Sequence, residues 1–221
     1  MQILPLFNAG LPTALPQWWE RPGLRLELWP GWLQSTPLSP RFLHNHLHHA
    51  VAWRQPEVSV YGKRHPVPRL TCWLGDPGCT YRYSGLLEQP EPWTEPLLQL
   101  RQLLEAQLGA PFNSLLLNRY RDGRDRMGWH ADDERELAAG HPIASLSLGA
   151  SRTLRFRPHP GMAGQGAEDL APFGLPLQDG DLLVMHAPTQ SHWQHALPAR
   201  LAVREERLNL TFRLIARPLA P

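Results

Sequence analysis

From residue 112 onward the chain consists of short segments in which apolar and polar residues alternate. These segments cover residues 115–120, 143–148, 153–157 and 182–185, and a last one lies within residues 204–215. Alternation with a period of two predicts strands that bury one face, and several short strands at this spacing predict a β-sandwich or barrel. The pair Asp122-Gly123 is typical of a tight hairpin turn, so we expect it to lead from the first segment into a strand at residues 127–132.

Two amphipathic helices are predicted before this region. Ser39-Pro40 resembles an N-cap followed by proline at the first helical position, and apolar residues recur at four-residue steps through residues 40–54. Thr94 is the expected N-cap of a second helix, which buries leucines on one face and ends at Gly109.

The predicted fold class is α+β, with a double-stranded β-helix (jelly-roll) core and N-terminal helices packed on one sheet. Residues 1–57 are expected to form an N-terminal extension with a helix, and residues 58–221 the main domain. The jelly-roll core is expected within residues 112–215. Residues 62–80 and 188–199 are rich in turn-forming or polar residues and are predicted as loops.

Composition limits the function classes to consider. The 221 residues carry a net charge of +2, and Lys63 is the only lysine, so nearly all positive charge is arginine. This charge permits nucleic-acid binding without requiring it. Arginine suits phosphate binding, but codon bias explains the excess of arginine over lysine equally well. Two cysteines give no disulfide framework, and residues 1–17 lack the pattern of a secretory signal. No apolar run approaches the roughly 20 residues of a membrane span, so we expect a cytoplasmic protein.

His130 and Asp132 form an H-x-D pair in the segment that follows the predicted turn. Side chains two residues apart on a strand point to the same face, so an imidazole and a carboxylate would converge. With one more histidine they would make the 2-His-1-carboxylate ligand set of non-haem Fe(II) oxygenases. His186, His192 and His195 are the downstream candidates. Spacing does not choose between them, although proximity to the last strand favours His195.

The last strand predicts a binding slot for a small dicarboxylate. Arg207, Asn209, Thr211 and Arg213 share one face of it, and apolar residues form the other face. Each guanidinium could hold one carboxylate through paired hydrogen bonds. Asn118 and Tyr120 share a face of an earlier strand and could point into the same slot. An edge strand with a solvated polar face would show the same pattern.

Four histidines lie together on the first predicted helix: His44, His46, His48 and His49. Such a tract resembles a metal site, but the sequence offers no third ligand that recurs with any pair of them. We therefore interpret these histidines as solvent-facing positions of the helix.

Five blocks of sequence together resemble the AlkB-type dioxygenases, which are Fe(II)- and 2-oxoglutarate-dependent nucleic-acid demethylases. The resemblance covers about residues 58–215 and is greatest to the branch that acts on alkylated DNA. The blocks are Asn118-Arg119-Tyr120-Arg121-Asp122-Gly123, His130-Ala131-Asp132-Asp133-Glu134, Pro142-Ile143-Ala144-Ser145-Leu146-Ser147-Leu148-Gly149-Ala150, His192-Trp193-Gln194-His195-Ala196-Leu197-Pro198 and Arg207-Leu208-Asn209-Leu210-Thr211-Phe212-Arg213. Their agreement in order and spacing is more specific than any single motif.

The resemblance implies a role for each matching position. The iron ligands would be His130, Asp132 and His195, and the 2-oxoglutarate contacts would be Asn118, Tyr120, Arg207, Asn209, Thr211 and Arg213. Residues 58–92 would recognise the nucleotide: Val60, Tyr61 and Gly62 match a finger that wedges into the duplex, and Tyr81, Tyr83, Asp133 and Glu134 match the pocket of the flipped base. His192 would be a packing or supporting residue.

The resemblance also implies the reaction, the cofactors and the partners. The expected function is oxidative demethylation of bases such as N1-methyladenine and N3-methylcytosine in DNA. Fe(II) is the expected cofactor, and dioxygen and 2-oxoglutarate are the expected co-substrates. Formaldehyde, succinate and carbon dioxide are the expected products. We expect a monomer that binds DNA, with RNA as the second candidate partner. The alternatives are an RNA or protein demethylase or hydroxylase on the same fold, or a non-catalytic nucleic-acid binder.

Overall fold

A computed structural model describes residues 15–60, 62–79, 81–83, 86–162 and 170–216. Within these residues the strands are β1 (Gln17–Arg21), β2 (Leu24–Trp29), β3 (Glu57–Val60), β4 (Lys63–Pro66), β5 (Leu70–Gly75), β6 (Tyr81–Tyr83), β7 (Leu86–Glu88), β8 (Ser114–Tyr120), β9 (Met127–His130), β10 (Ile143–Gly149), β11 (Arg152–Pro158), β12 (Phe173–Leu177), β13 (Leu182–Met185), β14 (Trp193–Leu197) and β15 (Arg207–Arg213). The α-helices are α1 (Pro40–Ala50), α2 (Glu95–Leu108) and α3 (Thr189–His192), and 3-10 helices cover Trp32–Ser35 and Pro160–Met162.

The strands build two antiparallel sheets. The larger sheet has seven strands in the order β1-β2-β13-β10-β15-β8-β5, and the smaller has four in the order β12-β11-β14-β9. β3 and β4 form a separate hairpin, and so do β6 and β7. This arrangement confirms the predicted α+β class with a jelly-roll core.

Residues before position 58 take part in the larger sheet. β2 pairs with β13, and β1 pairs with β2, so the N-terminal part of the chain adds two strands at one edge. The domain boundary at residue 57 stays a prediction from the sequence.

The two longer helices begin where the sequence predicts. The Ser39 side chain accepts a hydrogen bond from the backbone N–H of Phe42 at the start of α1. α1 ends at Ala50 rather than at residue 54, because the Trp53 indole donates to the Leu47 carbonyl that another helical turn would use. α2 ends at Gly109, which has a φ of 63° and so occupies the left-handed region, as predicted. None of the described helices is long and apolar enough to cross a membrane.

Both helices cover one face of the seven-stranded sheet. Leu43 and Leu47 of α1 and Leu97 and Leu100 of α2 are fully buried against strand residues such as Leu210. The predicted packing of the N-terminal helices on one sheet is therefore confirmed.

A second apolar core lies on the other face of the seven-stranded sheet, toward the four-stranded sheet. Leu26 and Leu183 contribute to it from the larger sheet, and Phe156, Leu175 and Trp193 contribute from the smaller one. The strand faces that continue beyond this core carry polar residues instead, and these residues form the site described below.

The predicted hairpin at Asp122-Gly123 is wrong. β8 belongs to the seven-stranded sheet and β9 to the four-stranded sheet, so the turn connects the two sheets and does not pair neighbouring strands. Glycine is required at position 123 by close packing and not by a hairpin turn, because a Cβ there would lie 1.8 Å from the carbonyl oxygen of Arg200. Gly123 N–H donates to the Val203 carbonyl, and its own carbonyl accepts from Arg200 N–H.

Two segments predicted as loops contain regular structure. β4 and β5 lie within residues 62–80, and α3 and β14 lie within residues 188–199. In β14 the residues Trp193, His195 and Leu197 alternate toward the interior, but the polar residues just before them obscure this short period. β15 lies between β10 and β8, so its polar face is internal to the sheet and is not the solvated face of an edge strand.

Candidate active site and metal centre

Three side chains with metal-binding atoms converge between the two sheets. His130, Asp132 and His195 each offer one ligand atom, and these atoms lie within 4.8 Å of one another. His130 ends β9 and lies directly opposite His195 of β14 in the antiparallel register. The His195 Nε2 atom lies 3.7 Å from an Asp132 carboxylate oxygen. Two imidazoles and one carboxylate on one side leave the other side open, which is the arrangement of the 2-His-1-carboxylate centres.

The structure distinguishes between the candidate histidines. His186 Nε2 lies 2.7 Å from a carboxylate oxygen of Glu27 on β2. His192 is half-buried and its Nδ1 lies 3.1 Å from the Pro188 carbonyl oxygen. Of the three, His195 alone joins the described triad.

Asp132 reaches the triad by a route that the sequence did not predict. β9 ends at His130, so the same-face argument does not extend to Asp132, which the following loop brings into place. The backbone N–H of Asp132 donates to Gln190 Oε1 at 2.9 Å. Gln190 therefore fixes the start of this loop from α3. No local pattern identifies such a residue, because its partner is distant in sequence.

Burial and neighbouring charge prepare the triad for a cation. Burial, with His130 nearby, lowers the pKa of His195 to about 3, so its imidazole is neutral and carries a free lone pair at pH 7. Burial alone would raise the pKa of Asp132, but the Arg213 guanidinium together with His195 and His130 outweighs burial and holds that pKa below its usual range. His130 Nδ1 lies 2.9 Å from the Gly128 carbonyl oxygen, and the tautomer that donates there leaves Nε2 free.

A cavity of about 490 Å³ extends from the triad between the sheets. Its wall contains alternate residues of two paired strands, as the sequence predicts for β8 and β15. Together with the triad, these lining residues include Asn118, Tyr120, Arg207, Asn209, Thr211 and Arg213. The six residues assigned to 2-oxoglutarate by resemblance thus lie around one cavity.

Arg207 is a buried cation at this cavity, and none of its hydrogen bonds within the described part of the chain involves an acidic side chain. Its Nη2 donates to Ser147 Oγ at 2.9 Å, and its Nε has no hydrogen-bond partner among the described residues. Burial lowers the pKa of Arg207 to about 10, so it remains charged at pH 7. A carboxylate is the partner that such a guanidinium fits best, and the cavity is therefore suited to the co-substrate.

Arg213 occupies the metal end of the same strand face. It forms a short hydrogen-bonded ion pair with Asp132, and its Nη1 lies 3.7 Å from Glu134 Oε1. The two arginines of β15 therefore differ, since Arg213 contacts a triad residue and Arg207 lies next to Ser147.

The remaining polar residues of the cavity are held by hydrogen bonds. Asn209 Nδ2 donates to Ser145 Oγ at 2.8 Å, and Thr211 Oγ1 donates to Asn209 Oδ1 at 3.1 Å. Asn118 Oδ1 accepts from Arg69 Nε at 2.8 Å. Burial raises the pKa of Tyr120, so its hydroxyl stays protonated and can donate a hydrogen bond.

A larger cavity of about 1360 Å³ opens onto the other side of the triad. It shares His130, Asp132 and Arg213 with the first cavity, and Glu134 also lines it. Asp133 is exposed and lines a separate cavity, so its contact with a base stays a prediction.

The predicted finger falls partly outside the described residues. Val60 pairs with Lys63 across the β3–β4 hairpin, and Gly62 has a φ of 77° in its turn. Tyr61 lies outside the described residues, and so do the side chains of Tyr81 and Tyr83. Their predicted contacts with nucleic acid stay predictions.

The fold and the site define a 2-oxoglutarate- and iron-dependent oxygenase. Residues 25–213 match the model of the 2OG-Fe(II) oxygenase superfamily, and the chain belongs to this family. Within it, the chain is 48% identical over 158 residues to the human DNA oxidative demethylase ALKBH2, covering 72% of this chain and 60% of that protein. It is 38% identical over 193 residues to rat alpha-ketoglutarate-dependent dioxygenase alkB homolog 3, and the match covers 86% of this chain and 64% of that protein. These relatives confirm the resemblance to AlkB-type dioxygenases.

One solved structure supports the fold. The structure of OsALKBH1 superposes with a TM-score of 0.57 at 17% identity and covers 90% of this chain and 99% of that one. At this identity the likeness concerns the fold alone. The chain spans about 60% of the length of human ALKBH2, so the activity of that whole protein is not transferred by similarity alone.

Proposed function

We propose that this protein is a dioxygenase that removes alkyl groups oxidatively from bases in DNA, such as N1-methyladenine and N3-methylcytosine. One observation carries the proposal: the His130, Asp132 and His195 ligand atoms lie within 4.8 Å of one another at a cavity that also contains the buried Arg207. A divalent metal fits the triad and a dicarboxylate fits the cavity. Membership of the 2OG-Fe(II) oxygenase superfamily identifies these as Fe(II) and 2-oxoglutarate.

The triad residues would hold Fe(II) through two neutral imidazoles and one ionised carboxylate. When bound, the iron with dioxygen and 2-oxoglutarate supplies the oxidising chemistry that yields succinate, carbon dioxide and a hydroxylated methyl group, which leaves as formaldehyde. Gln190 holds the backbone of Asp132 so that its carboxylate faces both histidines. Metal binding should depend on this hydrogen bond, since residues that hydrogen-bond to metal ligands keep those ligands oriented.

The cavity residues would bind and orient the co-substrate. Arg207 would pair with the carboxylate far from the metal, because Ser147 holds its guanidinium and its Nε remains available. Arg213 would contact the end near the metal, since it already lies beside Asp132. Asn118, Tyr120, Asn209 and Thr211 would complete the polar wall.

The substrate proposal rests on the larger cavity and on the relatives. A base must leave the duplex stack to reach a metal between two sheets, at a cost of a few kcal/mol that is smallest for bases unable to pair. Methyl groups on the pairing edge of adenine or cytosine therefore lower their own cost of extrusion. The human and bovine relatives are named DNA oxidative demethylases, which favours DNA over RNA.

Several residues would support binding of the nucleic acid. The β3–β4 hairpin carries the exposed cations Lys63 and Arg64, which could contact phosphates beside the proposed finger at Val60, Tyr61 and Gly62. Tyr81 and Tyr83, with Asp133 and Glu134, are the proposed contacts of the flipped base. We also propose that the protein acts as a cytoplasmic monomer.

The proposal is tested by formaldehyde release from N1-methyladenine and N3-methylcytosine in single-stranded DNA, duplex DNA and RNA. We expect release from DNA, and a loss of about 1,000-fold or more in His195→Ala, because the metal centre would be incomplete. His192→Ala is the matched control and should keep its activity, since His192 lies outside the triad.

Three outcomes would contradict the proposal in different ways. Release from RNA but not from DNA would favour an RNA demethylase, and equal activity of His195→Ala would remove the triad from the mechanism. Binding of methylated DNA without any formaldehyde, metal or 2-oxoglutarate uptake would identify a non-catalytic binder.

A further inference from the structure

Two histidines of α1 face a glutamate at the start of the last strand. His44 Nε2 lies 3.4 Å from Glu206 Oε1, and His48 Nδ1 lies 3.6 Å from the same oxygen. The histidines are four residues apart, which places them on one face of the helix. Two imidazoles in this spacing on a helix are a frequent half-site for zinc.

Glu206 is held so that one oxygen faces the histidines. Its Oε2 accepts a short hydrogen bond from Arg119 Nε, which fixes the orientation of the carboxylate. Its Oε1 is buried and accepts no hydrogen bond from any residue that the structure describes. A buried carboxylate oxygen without a donor is unusual, and a cation would satisfy it.

Two of the three distances between these atoms suit a tetrahedral metal. Ligand atoms at zinc bond lengths of about 2.0–2.2 Å, arranged tetrahedrally, lie about 3.3–3.6 Å apart. The distances of 3.4 and 3.6 Å from Glu206 Oε1 to the two histidine nitrogens fall in this range. The two histidine nitrogens lie farther apart than this in the structure, so the imidazoles would rotate about their side-chain bonds to bind one ion.

An ion can reach this position from solvent. The His44 side chain is 30% exposed and the His48 side chain 42%, whereas Glu206 is 16% exposed. A surface cavity of about 830 Å³ lies beside them, lined by His44, Glu205 and Glu206 among others. A fourth ligand, either water or the exposed Glu205, therefore has room.

We propose that His44, His48 and Glu206 form a second divalent-cation site, of the zinc type, separate from the triad. The sequence offered no third ligand for the histidines of α1, because Glu206 lies far along the chain and only folding brings it to the helix. His46 and His49 are outside the site, since His46 Nε2 lies 2.8 Å from Thr94 Oγ1 and His49 Nδ1 lies 2.8 Å from the Asn45 carbonyl oxygen.

The site would join α1 to the beginning of β15. Glu206 immediately precedes Arg207, and its partner Arg119 lies between Asn118 and Tyr120 on β8. A bound cation would therefore fix the helix against the two strands that form the wall of the 2-oxoglutarate cavity.

Zinc binding to the full chain tests the proposal. The amount of zinc per chain is measured after equilibrium dialysis, with the fold of every variant checked by circular dichroism. Because the triad also binds divalent metals, we expect two zinc ions in the natural chain and one in Asp132→Ala. His48→Ala should remove one ion in each case, so the single variant should bind one zinc ion and the double variant with Asp132→Ala should bind none.

A matched variant and a conservative one separate the site from general binding by histidines. His49→Ala removes a neighbouring histidine of α1 that does not face Glu206, and it should bind as much zinc as the natural chain. Glu206→Gln keeps an acceptor for Arg119 but removes the charge, and it should weaken the second ion at least about tenfold. Titration of the Asp132→Ala background with Co²⁺ should give the visible absorption of tetrahedral cobalt.

Two results would overturn the proposal. One is zinc binding by His48→Ala equal to that of its parent chain in both backgrounds. The other is an equal loss in His49→Ala, which would show that the histidine tract binds metal without the Glu206 geometry.

Discussion

Arg207 and Arg213 project from one face of β15, yet their guanidiniums contact different groups. Arg213 contacts Asp132 and Glu134, so its charge is compensated within the protein. Arg207 is buried next to Ser147, and its Nε lacks a partner among the described residues. Burial of a cation without an anion is unfavourable, and an anionic co-substrate offsets that cost. The affinity for 2-oxoglutarate should therefore depend strongly on Arg207.

Replacement of Arg207 by methionine removes the charge while keeping a long side chain. We expect 2-oxoglutarate to bind about 10- to 100-fold more weakly, because hydrogen bonds to charged groups contribute about 1.5–3 kcal/mol. Calorimetric titration of the anaerobic Fe(II)-loaded protein measures this change. Arg204→Met alters an exposed arginine nearby and should leave the affinity unchanged. Equal affinities of Arg207→Met and the natural chain would remove Arg207 from the co-substrate site.

The sequence identified some site residues from spacing and others only by resemblance. Alternation placed Arg207 and Arg213 on one face, as found. The H-x-D spacing brought His130 and Asp132 together, although Asp132 lies in a loop. His195 remained one of three candidates until its family match was considered, since the distance between strands cannot be read from spacing. Supporting residues such as Gln190 left no signal at all.

At the scale of elements, the connection between the sheets differs most from the sequence prediction. Asp122-Gly123 has the composition of a hairpin turn, but β9 pairs with β14 instead of β8. Strand pairing depends on long-range packing, which local turn residues do not determine. Long-range packing also explains why residues 193–197 are predicted as loop. They form β14 because they pair with β11 on one side and β9 on the other.

The Gly123 turn provides a test of this connection. Gly123→Ala should lower the free energy of unfolding by about 1–3 kcal/mol, because the new Cβ would overlap the backbone oxygen of Arg200 and force a shift. Urea denaturation followed by fluorescence measures the change. In Gly161→Ala, where a Cβ meets nothing within 4 Å, the change should stay within about 0.5 kcal/mol. Equal stability of the two variants would show that the turn is not tightly packed.

At the scale of the whole molecule, the two faces of the seven-stranded sheet have separate roles. The face under α1 and α2 is apolar and supports the fold. The face toward the four-stranded sheet carries an apolar core at one end and the polar cavity with the triad at the other. Hydrophobic alternation was sufficient to predict the class of this fold. It could not predict which strands are neighbours, because that order follows from how the sheets close around the second core.

The central claim is tested most directly by the coupling between the oxidation of 2-oxoglutarate and the oxidation of the methyl group. Succinate and formaldehyde are measured together while the natural chain acts on DNA that contains N3-methylcytosine, with Fe(II) and 2-oxoglutarate supplied. The triad and the Arg207 cavity predict equal amounts of the two products, and neither product in His130→Ala. Formaldehyde release without succinate, or unchanged release in His130→Ala, would contradict the account.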